Sequence, residues 1–224
     1  MKKIGLIGGT SPESTLLYYS HLINLSKEKL EKYVYPEIVI YSVNFKKIME
    51  LVKSDRKELA GKFSKIFNWM ETVGVEVGAL TANTLHVVFD MIETNIKLVH
   101  IVEAVAEEAK ELGYEKLTLF GTYTTMTSDL YPNVMKKYGI EIVVPSDEDK
   151  EKIERIIFDE LTFGKVKDNI RTQLKNLAEK YLKLSDAIIL GCTELPIGFK
   201  DIDVPKLDTV YIHAKKIFEK AIEG

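Results

Sequence analysis

The chain of 224 residues is long enough for one large domain or two small ones. Hydrophobic residues make up 46% and charged residues 29%, and the formal net charge of -3 gives no sign of a nucleic-acid or anionic-membrane partner. The single cysteine, Cys192, excludes an internal disulfide, and no apolar run approaches the roughly 18 residues of a membrane span. These features predict a soluble, cytoplasmic protein.

Short apolar segments alternate with longer segments of helical apolar spacing along the chain. The predicted strands are 3–8, 37–43, 75–81, 98–101, 116–120, 141–144, 187–190 and 204–207. The predicted helices are 15–25, 51–72, 100–112, 126–138, 147–161, 166–184 and 209–222. Strands such as IGLIGG and AIILG are apolar throughout, which is typical of parallel sheets covered by helices. We therefore predict an α/β fold.

A weak internal repeat divides the chain into two similar parts. Residues 75–86 (VEVGALTANTLH) and 186–196 (DAIILGCTELP) are each an apolar strand that runs into a small residue, a threonine and a predicted helix start. Ala82 and Cys192 occupy matching positions, 110 residues apart. The repeat predicts two similar α/β lobes related by a pseudo-twofold axis.

The turns that follow the strands are the candidate site, because ligands of open α/β sheets bind beyond the carboxyl ends of strands. Gly8-Gly9-Thr10 after the first predicted strand is echoed by Gly121-Thr122 after the strand at 116–120. Together with the turns at Ala82 and Cys192, these segments are expected to converge on one cleft between the lobes. We expect the ligand there to be a small carboxylate-bearing molecule.

Cys192 lies in the segment LGCTELP, between a predicted strand and a predicted helix start. The positive end of a helix would lower the pKa of the thiol and favour the nucleophilic thiolate. The alternative is a small residue that packs between strand and helix, as many free cysteines do. The residues alone leave both interpretations open.

Asn83, Thr84 and His86 follow the strand at 75–81. Asn83 and Thr84 could hold a carboxylate with their side chains and backbone N–H groups, or they could cap a helix. His86 is more typical of a structural histidine than of a general base. The first turn, 8–15, could bind an anion through its backbone, and the hydroxyl groups of the turn at 121–126 present the same choice between binding and capping.

No cofactor or metal is predicted. The first turn lacks the Gly-Lys-Ser/Thr sequence of a phosphate-binding loop and the GxGxxG pattern of a dinucleotide site. The four histidines are dispersed, and no spacing matches a zinc site.

Six segments, in this order, resemble the aspartate/glutamate racemase family of cofactor-independent enzymes. They are IGLIGGTSPEST (4–15), ANTLH (82–86), GTYTTM (121–126), ELTFGK (160–165), GCTEL (191–195) and DTVYIHA (208–214). The resemblance implies a first lobe of residues 1–99 and 209–224, a second lobe of residues 100–208, and a homodimer. It also implies racemisation of an acidic amino acid without PLP, in which two cysteines exchange the α-proton from opposite faces.

The resemblance assigns roles to individual residues. Cys192 is the acid/base of the second lobe. The substrate's α-carboxylate and amino group are expected to be held by Ser11, Asn83, Thr84, Thr122, Thr125 and Thr193. Lys167 is expected to reach a side-chain carboxylate, with Lys165 as the alternative. The loop after Val43, with Asn44 and Lys46 or Lys47, is expected to add a polar or basic group.

Ala82 stands where the resemblance implies the cysteine of the first lobe. An alanine methyl cannot transfer a proton, so the two-thiol mechanism is not possible with this sequence. The alanine could be an engineered change, or Thr81 or Thr84 could act through a water in an asymmetric enzyme. A one-thiol decarboxylase or isomerase of a small dicarboxylate is a further alternative, although ANTLH and GGTSPEST favour the amino-acid racemases. The last alternative is a non-catalytic carboxylate-binding protein with the same fold.

Overall fold

A computed structural model describes residues 1–163 and 166–223, with only the backbone of Phe163. These residues form two compact units, Met1–Ala104 with Val210–Gly224 and Val105–Thr209. Within the described part of the chain, every helix is too short or too polar to cross a bilayer.

The strands are β1 (Lys3–Gly8), β2 (Ile38–Ser42), β3 (Val75–Leu80), β4 (Lys97–Leu98), β5 (Lys116–Phe120), β6 (Glu141–Val143), β7 (Ala187–Leu190) and β8 (Lys206–Asp208). The α-helices are α1 (Pro12–Lys29), α2 (Phe45–Ser54), α3 (Arg56–Thr72), α4 (Ile101–Glu111), α5 (Tyr123–Thr127), α6 (Leu130–Lys137), α7 (Asp147–Asp159), α8 (Asp168–Tyr181), α9 (Leu195–Gly198) and α10 (Thr209–Ile222). Two 3₁₀ helices span Asn83–Met91 and Leu161–Phe163.

Each unit contains one four-stranded parallel sheet, and the two sheets have the same topology. The first has the strand order β2-β1-β3-β4 and the second β6-β5-β7-β8. Strand β1 therefore corresponds to β5, and β3 corresponds to β7. The predicted α/β fold with helix-flanked parallel sheets is confirmed, and the internal repeat pairs equivalent strands.

Helices cover both faces of the first sheet because successive strand residues point to opposite faces. Ile7 and Leu80 pack in one buried cluster with residues of α2 and α3, such as Ile48 and Phe63. The opposite faces of β1 and β3 pack against α1 and α10, in a second cluster that includes Tyr18 and Phe218. The strands are thereby held in place from both sides, and the turns at their carboxyl ends have fixed starting points.

Two predicted helices are interrupted. Segment 51–72 was predicted as one helix, but α2 ends and α3 begins at Asp55. Its N–H donates to the Leu51 carbonyl at 2.9 Å, and its Oδ1 accepts from the Glu58 N–H at 2.9 Å. One aspartate thus closes one helix and caps the next. Segment 126–138 is likewise divided, into α5 and α6.

Candidate active site

The turn after β3 is tied to the end of β1. The Thr81 N–H donates to the Ile7 carbonyl at 3.0 Å, and the Thr81 hydroxyl donates to the same oxygen at 3.2 Å. Ala82 follows in an extended conformation and is partly buried, while Asn83 is only 4% exposed. Asn83 opens a 3₁₀ helix at the predicted helix start. The Ala82 methyl and the Asn83 side chain therefore sit at a defined point beyond the sheet edge.

The buried His86 links the backbone of this turn to the start of α4. Its Nδ1 lies 3.0 Å from the Ala82 carbonyl, and its Nε2 lies 3.2 Å from the Ile101 N–H at the start of α4. Because Nε2 must accept from this N–H, the ring is neutral and carries its proton on Nδ1. Burial, and then the neighbouring His100 and His213, hold the pKa of His86 well below its usual value. Both ring nitrogens are used within the fold, as in a structural histidine.

The turn after β1 is closed by side chains at the start of α1. The Gly9 N–H donates to Thr15 Oγ1 at 2.9 Å, and the Thr15 hydroxyl donates to the Ser11 carbonyl at 3.0 Å. Ser11 is the N-cap of α1, and its Oγ accepts from the Ser14 N–H at 3.2 Å. Ser11 thus caps α1; its predicted role in substrate binding stays a prediction.

Cys192 lies in the turn after β7 and is partly exposed. Its thiol donates to Oε2 of Glu194 at 2.9 Å. The Thr193 hydroxyl donates to the same oxygen, also at 2.9 Å. Sequence reasoning assigned no role to Glu194, although its place two residues after the only thiol, in GCTEL, was a usable signal. A carboxylate is therefore the direct partner of the thiol.

These surroundings raise the pKa of the Cys192 thiol well above its usual value. Burial of the sulfur among protein atoms is the largest cause, followed by the negative charge of Glu194 and its hydrogen bond to the thiol. Backbone groups of Thr193 and Glu194 act in the opposite direction but less strongly. The expectation of a lowered pKa was wrong, because burial and the Glu194 carboxylate outweigh the backbone groups that precede α9, a helix of only 4 residues. At neutral pH the group is a thiol.

Tyr131 is a fully buried phenol in the same unit. Burial, and then the nearby Cys192, raise the pKa of its hydroxyl above the usual range. The phenol therefore stays protonated.

The turn after β5 lies against the turn that carries Cys192. The Gly191 N–H donates to the Phe120 carbonyl at 2.7 Å, and a Cβ added at Gly121 would lie 3.3 Å from the Gly191 carbonyl oxygen. Thr122 caps α5, since its Oγ1 accepts from the Thr125 N–H at 3.3 Å and lies 3.0 Å from Thr125 Oγ1. The second unit therefore brings the Thr122–Thr125 pair close to the Cys192 turn.

The basic candidates are engaged elsewhere or exposed. Lys167 forms an ion pair of 2.9 Å with Glu160, and its side chain is 66% exposed. Lys165 lies outside the described residues. Asn44 caps α2 by accepting from the Lys47 N–H at 3.1 Å, and Lys46 and Lys47 are exposed. The role of Lys167 or Lys165 in binding a distal carboxylate, and the polar or basic contribution of the loop after Val43, stay predictions.

The site offers no evident metal ligands. Among residues 1–163 and 166–223, no group of three or more His, Cys, Asp or Glu side chains is arranged to hold a metal ion. Apart from the Cys192 thiol and the Glu194 carboxylate, the polar groups of the turns described above are hydroxyls, amides and backbone N–H groups, which suit an organic anion.

The fold and the turns define a class of proteins with two α/β units, each built on a parallel sheet with polar turns beyond its strand ends. Within that class, the chain belongs to the Asp/Glu/Hydantoin racemase family, whose family model matches residues 7–217. This membership confirms the resemblance inferred from the six sequence segments.

Solved structures agree with this membership. An aspartate racemase homologue from Pyrococcus horikoshii is 44% identical, with a TM-score of 0.90 and 100% of both chains covered. An Asp/Glu racemase candidate from Yersinia pestis is 35% identical, with a TM-score of 0.92 and 100% of both chains covered. Glutamate racemase from Francisella tularensis, solved with D-glutamate, is 16% identical with a TM-score of 0.64, over 99% of this chain and 81% of that one. At that identity the last similarity is one of fold.

Proposed function

We propose that the protein is a PLP-independent amino-acid racemase that acts on aspartate or glutamate, with Cys192 as its acid/base. Family membership supports the reaction class. The observation that carries the residue assignment is the hydrogen bond of 2.9 Å from the only thiol of the chain to the Glu194 carboxylate. A thiol that is hydrogen-bonded to a carboxylate can both donate a proton to the substrate and, as the thiolate, accept one from it.

The first step is the activation of Cys192. The thiol passes its proton to Oε2 of Glu194, which leaves a thiolate and a neutral carboxylic acid. The thiolate then takes the α-proton of the substrate, and the electron pair of the broken C–H bond moves into the adjacent carboxyl group. Return of a proton from the thiol reverses the step. The α-position acquires deuterium when the thiol exchanges the proton it has taken for a deuteron from D2O, directly or through Glu194, before it returns one to the carbon.

The α-hydrogen next to a carboxylate is a weak acid, so the charge that develops must be stabilised by oriented donors. We assign this task to the residues predicted from the motifs, namely Ser11, Asn83, Thr84, Thr122, Thr125 and Thr193. Lys167 is the candidate for a distal carboxylate, after release of its ion pair with Glu160. The protein is also proposed to act in the cytoplasm as a homodimer.

Position 82 limits the reaction. We infer that Ala82 replaces the second thiol of a symmetric racemase, since an alanine methyl can neither give nor take a proton. Cys192 alone supports exchange on one face of the α-carbon. Inversion then requires a substitute on the other face, such as a water held by Thr81 or Thr84. The expected enzyme exchanges the α-proton of one enantiomer much faster than it inverts the centre.

A one-thiol decarboxylase is the second candidate. The specific observation in its favour is the raised pKa of Cys192. Such a decarboxylase needs a protonated thiol that delivers a proton to the carbanion left when CO2 departs. A group held as a thiol at neutral pH fits that role without an activation step.

Proton NMR in D2O distinguishes these functions. The L and D forms of aspartate and glutamate are incubated with the protein, and the α-proton signal and optical purity are followed. We expect loss of the signal for one enantiomer with slow inversion, and at least about a hundredfold slower exchange in Cys192→Ser. Unchanged exchange in that variant would remove Cys192 from the mechanism. If none of the four amino acids exchanges its α-proton and the protein releases CO2 from substituted malonates, the protein is a decarboxylase. If it binds these molecules but catalyses neither reaction, it is a binding protein.

A further inference from the structure

The turn after β1 contains one buried hydroxyl without a partner. Thr10 is 9% exposed, and its Oγ1 has no hydrogen-bond partner among the described residues. Buried hydroxyls are almost always satisfied, and leaving one unsatisfied is costly. An exception in a turn at the edge of a candidate site therefore needs a physical reason.

The other hydroxyl side chains of this turn, those of Ser11, Ser14 and Thr15, have partners within the fold. Thr15 Oγ1 accepts from the Gly9 N–H and donates to the Ser11 carbonyl. Ser11 Oγ accepts from the Ser14 N–H, and it also donates to Glu13 at 3.5 Å. The Thr10 hydroxyl is therefore the polar side-chain atom of this turn that the fold itself leaves unused.

The turn of Thr10 adjoins the turn of Ala82. The Ser14 hydroxyl donates to the Thr81 carbonyl at 2.9 Å, and the Thr81 N–H donates to the Ile7 carbonyl. Both turns thus leave the same edge of the sheet, from the neighbouring strands β1 and β3. Thr10 also precedes α1, a helix of 18 residues whose N-terminal end favours a negative charge nearby.

We propose that the Thr10 hydroxyl is a substrate-binding group that donates a hydrogen bond to a carboxylate of the acidic amino acid. This inference rests on the proposed function. It adds Thr10 to Ser11 as a binding hydroxyl of the first turn, since the Ser11 oxygen also caps α1. A carboxylate suits the site because a hydroxyl can donate to it while the start of α1 favours its charge.

Replacement of Thr10 by valine and by serine tests the proposal. Valine has the shape of threonine without the hydroxyl, and serine keeps the hydroxyl. Isothermal titration of the protein with the L and D forms of aspartate and glutamate gives Kd, and thermal unfolding without ligand gives Tm. For the tightest of the four ligands we expect Thr10→Val to raise Kd roughly tenfold or more, the loss expected for a hydrogen bond to a charged group. The Kd of Thr10→Ser for the same ligand should stay within about threefold of the value for the unmodified protein, because serine keeps the hydroxyl.

The unfolding data separate binding from a structural role. Removal of a hydroxyl that has no partner in the free protein should leave Tm unchanged or raise it, so the ligand-free Tm of Thr10→Val should not fall. An unchanged Kd in Thr10→Val, or a fall in its ligand-free Tm, would overturn the proposal and leave the proposed function intact. If the unmodified protein binds none of the four amino acids, the proposed function and this inference both fail.

Discussion

The thiol of Cys192 donates a hydrogen bond to Oε2 of Glu194 across 2.9 Å. The acceptor is a carboxylate, so its negative charge disfavours a thiolate and keeps the proton on sulfur. The same contact provides a base two residues away that can take this proton during catalysis. Because the chain has a single cysteine, any thiol-specific reagent reports on this pair alone.

Removal of the Glu194 charge should make Cys192 more acidic. In Glu194→Gln, the second and third causes of the raised thiol pKa, the charge and the hydrogen bond to it, are lost or weakened. The rate of alkylation by iodoacetamide, measured as a function of pH, should rise at a lower pH than in the unmodified protein. Glu160→Gln, which removes the same charge beside Lys167, is the matched control and should leave the profile in place. An alkylation profile that is unchanged in Glu194→Gln, or shifted to higher pH, would contradict the role given to this carboxylate.

A thiol at position 82 should restore two-sided proton transfer. We expect Ala82→Cys to invert aspartate or glutamate at least about tenfold faster than the unmodified protein, since a positioned acid or base typically contributes a hundredfold or more. Circular dichroism of the substrate follows the inversion. Ala82→Ser is the control of similar size, because its hydroxyl is a poor base at neutral pH. Equal inversion rates in all three proteins would exclude position 82 from the reaction.

Two substitutions at His86 should separate its two hydrogen bonds. Asparagine places an N–H near the position of Nδ1 and can keep the bond to the Ala82 carbonyl, while glutamine places its amide near Nε2 and can keep the bond from Ile101. Each variant loses one buried hydrogen bond and should be destabilised by about 1–3 kcal/mol. If His86 positions the Ala82 turn, α-proton exchange should slow in His86→Gln much more than in His86→Asn. Exchange rates that simply follow the two stabilities would make His86 structural only.

Buried histidines should make the fold sensitive to mild acid. His213 accepts a hydrogen bond from the Tyr18 hydroxyl at 2.7 Å and donates to the Val99 carbonyl at 2.9 Å. Burial is the main cause that lowers its pKa from 6.5 to about 3. Below pH 6.5 the His213 imidazole is protonated in the unfolded chain but stays neutral in the folded chain. The free energy of unfolding therefore falls by up to about 1.4 kcal/mol for each pH unit of acidification. The loss ends near the folded-state pKa.

Urea unfolding at pH values from 7.5 to 5 measures this effect, since the carboxylates with lowered pKa, such as Asp149 and Asp186, titrate below that window. His86 contributes in the same direction. His213→Gln removes the titrating group and should lose less stability between pH 7.5 and 5 than the unmodified protein does. A pH-independent free energy of unfolding in the unmodified protein would show that the histidines are not held neutral.

Local patterns were sufficient for the central strands and for the family, whereas the predicted bounds of β4 and β8 are displaced. The apolar segments that became β1, β5 and β7 were predicted with their observed ends, because buried parallel strands are continuous apolar runs bounded by turn residues. The repeat of strand, small residue and threonine paired β3 with β7, and the sheets have that correspondence. The helix break at Asp55 was missed, because apolar periodicity continues across a residue that caps one helix and ends another.

The chemical state of the site was decided by tertiary structure. From the sequence, a helix N-terminus was expected to acidify Cys192, but α9 is short and Glu194 turns back onto the sulfur. Ser11 and Thr10 are adjacent hydroxyl residues with no local signal to tell them apart, yet one caps α1 and the other is left without a partner among the described residues. The sequence determined which residues reach the turns beyond the sheets. The packing around these turns decided which polar groups have hydrogen-bond partners within the fold. The reason is that the burial and direction of each side chain depend on neighbours distant in the chain.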